Sequence, residues 1–433
     1  MRVLLISPDR KEVVEARARG QSRIKATFPP LSLLQVAAVT PPEVEVTIVD
    51  EAVSDVDLGA FCDLVGITAF TSSAPRAYEI ADGFRARGIP VVLGGMHASA
   101  RQQEALQHCD TVVVGEAEGK WPQLLDDLRQ ARLRRVYRSE EYPNIQAAPA
   151  PRRDLIIRQD YVVPDTVQAT RGCYHNCSFC SVSSFFGRRI RSRPVEAVAE
   201  EVCSLPGRLV VFVDDNIMTA PTYARELFQR LIGTGKRWLG QASTTVGENA
   251  ELLRLAARSG CQALFLGFET LSSQALERVN KGFNVVEKFK DTIERLHDAG
   301  IGVIGAFMFG FDGEDEGVFE RTAGFADEAR IDAPQYSILT PLPGTPLHAQ
   351  MEAEGRIIDR DWSHYDGGHA VFAPRSTSPE KLEEGLRSAL RHSYSGLSIL
   401  RRLLGFSSRF PTMLSLNLAF RRRAIPWATG AAR

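Results

Sequence analysis

Short apolar runs alternate with amphipathic stretches from the first residues onward. Val3–Ile6, Val44–Val49, Leu64–Thr68, Val91–Leu93 and Thr111–Val114 read as five strands, with a helix through Ala77 to Arg87. Apolar strands separated by helical patterns predict a doubly wound parallel sheet, an α/β fold. Small and hydroxyl residues follow these strands: Thr68, Thr71, Ser72, Gly94, Gly95 and Gly115, with Glu116 next. Ligands of such sheets sit beyond the carboxyl ends of the strands, where small residues allow close approach. The same residues also suit ordinary turns.

A second series follows. Thr166–Thr170, Leu209–Val213, Trp238–Thr244, Gln262–Glu269, Val303–Phe309 and Tyr336–Leu339 read as six strands. Helices are expected at Pro194–Ser204, Leu252–Ser259 and Val285–Ala299, the first with Val195, Val198, Val202 and Cys203 on its apolar side. Six strand–helix units suit a partial parallel barrel with its chemistry at the carboxyl ends of the strands. Ala147–Asp154 is a proline-punctuated connector. The expected organisation is a first domain over 1–135, a linker over 136–158, a barrel over 159–355 and a mostly helical region over 356–433.

The densest chemistry lies after the first barrel strand. Cys173, Cys177 and Cys180 put three thiols in eight residues. They cannot all be disulfide partners of one another, but all can turn onto one soft metal centre. Thiolates hold iron–sulfur clusters, and a cubane has four irons. Three local ligands leave one iron open, which by analogy with zinc marks a working site. A zinc site usually takes four protein ligands, and His175 inside the loop is a strained fourth. A redox pair of Cys177 and Cys180 ignores Cys173. The cluster reading is preferred.

With 433 residues the chain should form two or more domains. Its 44% hydrophobic and 24% charged residues are ordinary for a globular protein, and its net charge of −1 gives no overall attraction to nucleic acid. Cys62, Cys109, Cys203 and Cys261 are scattered and read as small core residues. The thiol loop implies a reducing compartment, Met1–Ile6 is too short for a signal peptide, and no run approaches a membrane span, so a cytoplasmic protein is expected.

Cys173-x3-Cys177-x-Phe179-Cys180 resembles the cysteine loop of the radical S-adenosylmethionine (SAM) enzymes. The resemblance implies a [4Fe–4S] cluster held by these cysteines, SAM chelated at the open iron, and reductive cleavage to a 5′-deoxyadenosyl radical. It also implies an electron donor such as flavodoxin or ferredoxin. It assigns polar strand ends to SAM: Asp214 and Asp215, where Asp-Asp-Asn replaces the family's Gly-Gly-Glu, then Ser243, Thr244, Glu269 and Gly313, with Phe179 along adenine. For each residue alone, capping or turn chemistry is an alternative. Arg171 could pair with the SAM carboxylate or with an acid.

The first domain resembles the cobalamin-binding domain that precedes many radical SAM domains, through Phe28–Leu33, Gly94-Gly95-Met96-His97 and Gly115-Glu116-Ala117-Glu118. The D-x-H-x-x-G motif is absent after the first strand, so cobalamin would lack that histidine, and His97 reads as a loop or supporting residue. Together these resemblances imply cobalamin-dependent methylation of an unactivated carbon in a small-molecule or lipid-like substrate. The alternatives are non-methylating radical chemistry (cyclisation, rearrangement, aminocarboxypropyl transfer) and a non-catalytic sensor.

The end of the chain is polar and then basic. Trp362–His369 reads as a solvated loop or a cover for the barrel mouth, and Ser378 as a helix cap. Beyond Glu384 no acid occurs, while arginines such as Arg387, Arg401, Arg402, Arg409 and Arg421 interleave with Leu, Ile and Phe. Packing on the barrel with the arginines in water is the preferred reading, and peripheral contact with an anionic membrane the second. No basic-aromatic groove for nucleic acid is evident.

Overall fold

Val3 and Leu5 point to one side of their strand and Leu4 and Ile6 to the other, and all four are buried. The sheet they belong to therefore needs cover on both faces. In the computed structural model, which describes residues 1–18, 25–404 and 410–429, that strand is β1 (Arg2–Ser7). It is followed by β2 (Glu45–Asp50), β3 (Leu64–Thr68), β4 (Val91–Gly94), β5 (Thr111–Val114) and β6 (Val136–Arg138). All pairings are parallel, in the order β2-β1-β3-β4-β5-β6. Strand order reverses between β1 and β3, and in such sheets ligands bind outside the carboxyl ends at the point of reversal. The sixth strand lies in the stretch read as connector. It has three residues, too few for a pattern, and is fixed by buried Tyr137, whose hydroxyl donates to Asp127 at 2.8 Å.

The second sheet contains β7 (Thr166–Val167), β10 (Leu209–Phe212), β11 (Arg237–Ala242), β12 (Cys261–Glu269), β13 (Gly302–Phe309) and β14 (Gln335–Ile338), whereas β8 (Thr170–Arg171) and β9 (Arg191–Ser192) stand apart from it. The order β14-β13-β12-β11-β10-β7 is parallel throughout, the open sheet of a partial barrel. Amphipathic helices cover it, among them Val195–Ser204 and Ala250–Arg258. Cys203 corrects the sequence reading, for it is exposed. It sits eight residues after Val195, about 80° further round the helix, off the face made by Val195, Val198 and Val202.

β8 and β9 form an antiparallel ribbon that opens and closes the cysteine loop. Asp214, after β10, holds its base. Its carboxylate is inaccessible to solvent and accepts from the Ala169 amide at 3.1 Å, the Thr170 amide and the Thr170 hydroxyl at 2.7 Å. Asp214, expected beside SAM, thus spends its carboxylate on the backbone at the base of the ribbon. Burial pushes its pKa up to about 6, against the pull of the three donors.

The ribbon is clamped to the first sheet. Glu116, after β5, takes Arg171 on one carboxylate oxygen and Arg191 on the other at 2.6 Å, and Glu118 takes Arg171. The four side chains are nearly or largely buried, and their charges cancel. Tyr161 donates to Asp50 at 3.0 Å, and Arg10 pairs with Asp366 at 2.6 Å. Trp362 donates to Glu104 at 2.7 Å while the Ile338 amide donates to the Gly367 carbonyl at 2.7 Å. Trp362–His369 is therefore a buckle between the first domain and the last barrel strand, rather than a solvated loop.

Helix Pro379–Ser393, capped by Ser378 as expected, packs on helix Val318–Glu328 and on the terminal helix Phe410–Ala428. Arg402 departs from the expectation of arginines in water. It is fully buried and donates to Asn417 at 2.9 Å and to the Ser393 carbonyl at 2.7 Å, with Asp327 at 3.2 Å. It falls on the inner side of helix Gly396–Leu403 beside Ile399 and Leu403, where Asp327 supplies the opposite charge. Arg409 lies outside the described residues.

Two outcomes test this frame. Glu116→Ala leaves Arg171 and Arg191 undercompensated, and chemical denaturation should show a loss of roughly 3–5 kcal/mol; an unchanged midpoint contradicts the clamp. Asp214 has a folded-state pKa above its ordinary value of 3.8. The native state therefore binds its proton more tightly, so this contribution to stability is greatest below about pH 4 and declines until about pH 6. The stability advantage of wild type over Asp214→Asn should shrink across that window and level off above it.

Candidate functional site

The ribbon fixes where the cysteine loop begins. Gly172 has φ of +89°, and a Cβ there would lie 2.3 Å from the Arg189 carbonyl, so only glycine lets the two ribbon strands approach. The Ser178 amide then donates to the Val279 carbonyl at 3.0 Å, and its carbonyl accepts from the Leu347 amide at 2.9 Å. Three distant parts of the chain thus hold the loop in place.

Cys173, Cys177 and Cys180 are free thiols at least half-buried in this loop. Burial pushes all three up, Cys177 to about 11, and the Lys281 ammonium pulls each the other way. Among the described residues no three His, Cys, Asp or Glu side chains converge on a single ion. A multi-iron cluster spreads its thiolates over separate metal atoms, so the donor set suits it chemically. Binding would displace the thiol protons.

Lys281 was not anticipated from the sequence. It pairs with Glu269 and lies 5.7 Å from the Phe179 ring centre and 5.8 Å from that of Phe283. Burial lowers its pKa, but Glu269 and the thiols outweigh that and raise it. Glu269 is aimed by an irregularity at the end of β12, where the register shifts and its φ is +69°. Phe283 stacks on His175 at 3.6 Å, and burial, then Lys281, hold His175 neutral with a pKa down to about 4. A lysine in a turn carries no signal of its own; only the strand order reveals that this turn faces the thiols.

The other strand-end residues divide. Asp215 has a buried carboxylate oxygen without a partner, and burial pushes it up to about 6. It lies near enough to Cys173 and Cys180 to raise both. Phe179 meets Phe311 edge-on at 6.2 Å. Ser243 shares a 2.6 Å hydrogen bond with Thr245. Thr244 is buried and donates to Asn284 at 2.8 Å, whose amide donates to the Gly267 carbonyl, so its hydroxyl braces the sheet instead of facing a ligand. Gly313 is exposed in the outer turn where Asp312 pairs with Arg356 and Arg375, and the structure does not bring it to the thiols. Arg171 pairs with buried acids, as described.

At the carboxyl rim of the first sheet, Gly95 has φ of +90°, and a Cβ there would lie 2.7 Å from the Thr68 hydroxyl, so these two strand ends pack together. Gly115 donates its amide to Ser99 at 2.9 Å and has open space on its Cα. Thr71 is buried and Ser72 partly so, in a turn against Trp362–His364, while Gly94 precedes the helix Gly95–Ala100. Phe70, 72% exposed, adds an apolar ring beside them. Small residues, open space and an exposed ring suit a broad, partly apolar cofactor. Glu116 differs from expectation, since arginines occupy it, whereas His97 is a buried supporting residue bonded to Tyr78 at 3.1 Å with its ring against Trp362.

Comparison with known proteins agrees with this two-part arrangement. The profile of the radical SAM superfamily matches residues 167–326, and that of the B12 binding domain matches residues 22–125. Bacteriochlorophyllide d C-12(1)-methyltransferase of Chlorobaculum tepidum is 33% identical over 391 residues, covering 87% of this chain and 85% of that protein. Bacteriochlorophyllide d C-8(2)-methyltransferase of the same organism is 29% identical, covering 90% and 91%. Among solved structures, the radical SAM methyltransferase TsrM of Kitasatospora setae, with cobalamin and a [4Fe–4S] cluster bound, shares the fold at a TM-score of 0.68 and 16% identity, covering 98% of this chain and 99% of that one. With both profiles in tandem and a relative similar over nearly its whole length, the chain belongs to the radical SAM enzymes that carry an amino-terminal B12-binding domain.

Proposed function

We propose that this protein is a cobalamin-dependent radical SAM methyltransferase acting on an unactivated carbon of a small-molecule or lipid-like substrate. The observation that carries the reading is the clamp of Glu116 on Arg171 and Arg191, which ties the rim of the B12-binding sheet to the ribbon bearing three free thiols. In this reading the domains run over 1–135, 159–355 and 356–433 with the connector between the first two. Two of the relatives are named for methylating bacteriochlorophyllide d, and this supports a small-molecule or lipid-like substrate.

Cys173, Cys177 and Cys180 would hold the [4Fe–4S] cluster and leave one iron for the amino and carboxylate groups of SAM. When bound, the cluster would supply the electron for reductive cleavage of SAM, and cobalamin would supply methyl transfer. The residues of the chain bind, orient and exclude water. Asp215 offers its unpartnered carboxylate oxygen to the methionine ammonium as a charge-assisted acceptor. Phe179 packs along adenine, Ser243 faces ribose or carboxylate, and Glu269 holds Lys281 against the thiols. Thr68, Thr71, Ser72, Gly94, Gly95 and Gly115 form the cobalamin rim. A flavodoxin or ferredoxin supplies the electron.

Anaerobically reconstituted protein is expected to carry about four irons per chain. Cys177→Ala is expected to lose the cluster absorbance and all deoxyadenosine formation, and full retention removes the radical reading. With hydroxocobalamin and methyl-labelled SAM, incubation with candidate tetrapyrroles and lipids is expected to place label on carbon. Deoxyadenosine without label transfer points to non-methylating radical chemistry.

A further inference from the structure

We propose that the outer faces of the two carboxyl-terminal helices dock on an anionic lipid bilayer. Leu397, Leu400 and Leu404 on helix Gly396–Leu403 and its end are 59%, 51% and 57% exposed. Their spacing of three and four residues puts them on one face, with exposed Arg401 between them. The opposite face is already used, since Ile399, Arg402 and Leu403 are buried. The helix thus carries apolar side chains on both sides, and its outer side is open to solvent among the described residues. On the neighbouring helix, Phe410 and Leu418 are also exposed, as is Arg422. Single exposed leucines are ordinary, but three along one helix face are a patch.

Charge identifies the partner. From Arg387 to the end of the chain there are nine arginines and no Asp, Glu or Lys, in a protein whose net charge is only −1. Arg387 and Arg391 answer Glu383 and Glu384, and Arg402 answers Asp327. Arg401 and Arg422 have no acidic partner among the described residues. A second copy of this chain would bring the same positive field against itself. A bilayer with anionic headgroups accepts leucines at the acyl boundary and arginines at the phosphates. No described helix is long and apolar enough to cross a membrane, so the contact is peripheral.

The test is cosedimentation of the full-length holoprotein with phosphatidylcholine vesicles, with and without phosphatidylglycerol. Binding is expected to be about tenfold or more stronger with phosphatidylglycerol and to weaken as salt rises. Changing Leu397, Leu400 and Leu404 together to Gln should lower it by about tenfold or more, and Arg401→Glu with Arg422→Glu should erase the anionic preference. Thermal midpoints report folding, and should the triple variant not fold, Leu400→Gln and Leu404→Gln singly carry the test. Soluble SAM cleavage should be unchanged in each folded variant, so this result is separate from the catalytic reading. Equal binding to both vesicle types, indifference to the leucine changes, or dimers in light scattering that the leucine changes abolish would each overturn the proposal.

Discussion

Glu116 carries a carboxylate into a place with almost no water, and both of its oxygens meet arginines. Taking such charges out of water costs several kcal/mol per ion, and the cost is offset only when partners and geometry are complete. Here they are complete because two acids follow one strand of the first sheet and two arginines come from the two strands of the ribbon. Neither domain alone could bury its share. The clamp therefore makes the position of the ribbon conditional on the first sheet. Because Arg171 stands two residues before Cys173, it does the same for the thiols.

The thiol loop has its own electrostatic logic. Burial opposes thiolate formation at each cysteine, and Asp215 adds to the effect at Cys173 and Cys180. Lys281 is the counterweight, a cation kept charged in a buried place by Glu269. His175, in the same loop, stays neutral and spends its ring on stacking with Phe283. One cation near three thiols favours an anionic occupant without saturating the site, whereas a second charge at His175 would oppose Lys281 across a short gap.

Much of this was legible in the sequence because it is local. Buried strands announce themselves as apolar runs, so eleven of the expected strands correspond to strands of the two sheets. The cysteine spacing is likewise a local fact. Asp214 and Asp215 show where locality ends. They are adjacent, equally acidic, and both at a strand end, yet one is turned inward onto backbone amides and the other keeps a free oxygen. Which way each points depends on the ribbon, whose two-residue strands leave no pattern. The bond of Thr244 to Asn284 is hidden for the same reason, since its partner lies forty residues away, and the relation of Lys281 to the cysteines exists only after the sheet is assembled.

The carboxyl-terminal region completes the dependence. Trp362 reaches Glu104 of the first domain and Asp366 reaches Arg10, while Gly367 receives the amide that ends β14. Leu347, near the end of the barrel, donates its amide to the Ser178 carbonyl inside the cysteine loop. Segments far apart in the chain therefore contribute contacts that fix the loop and tie it to the first domain. A site built this way cannot be carried by the barrel alone. A reaction that needs two cofactors at a fixed separation gains from that, because a pair of domains joined by a flexible linker would let the separation wander.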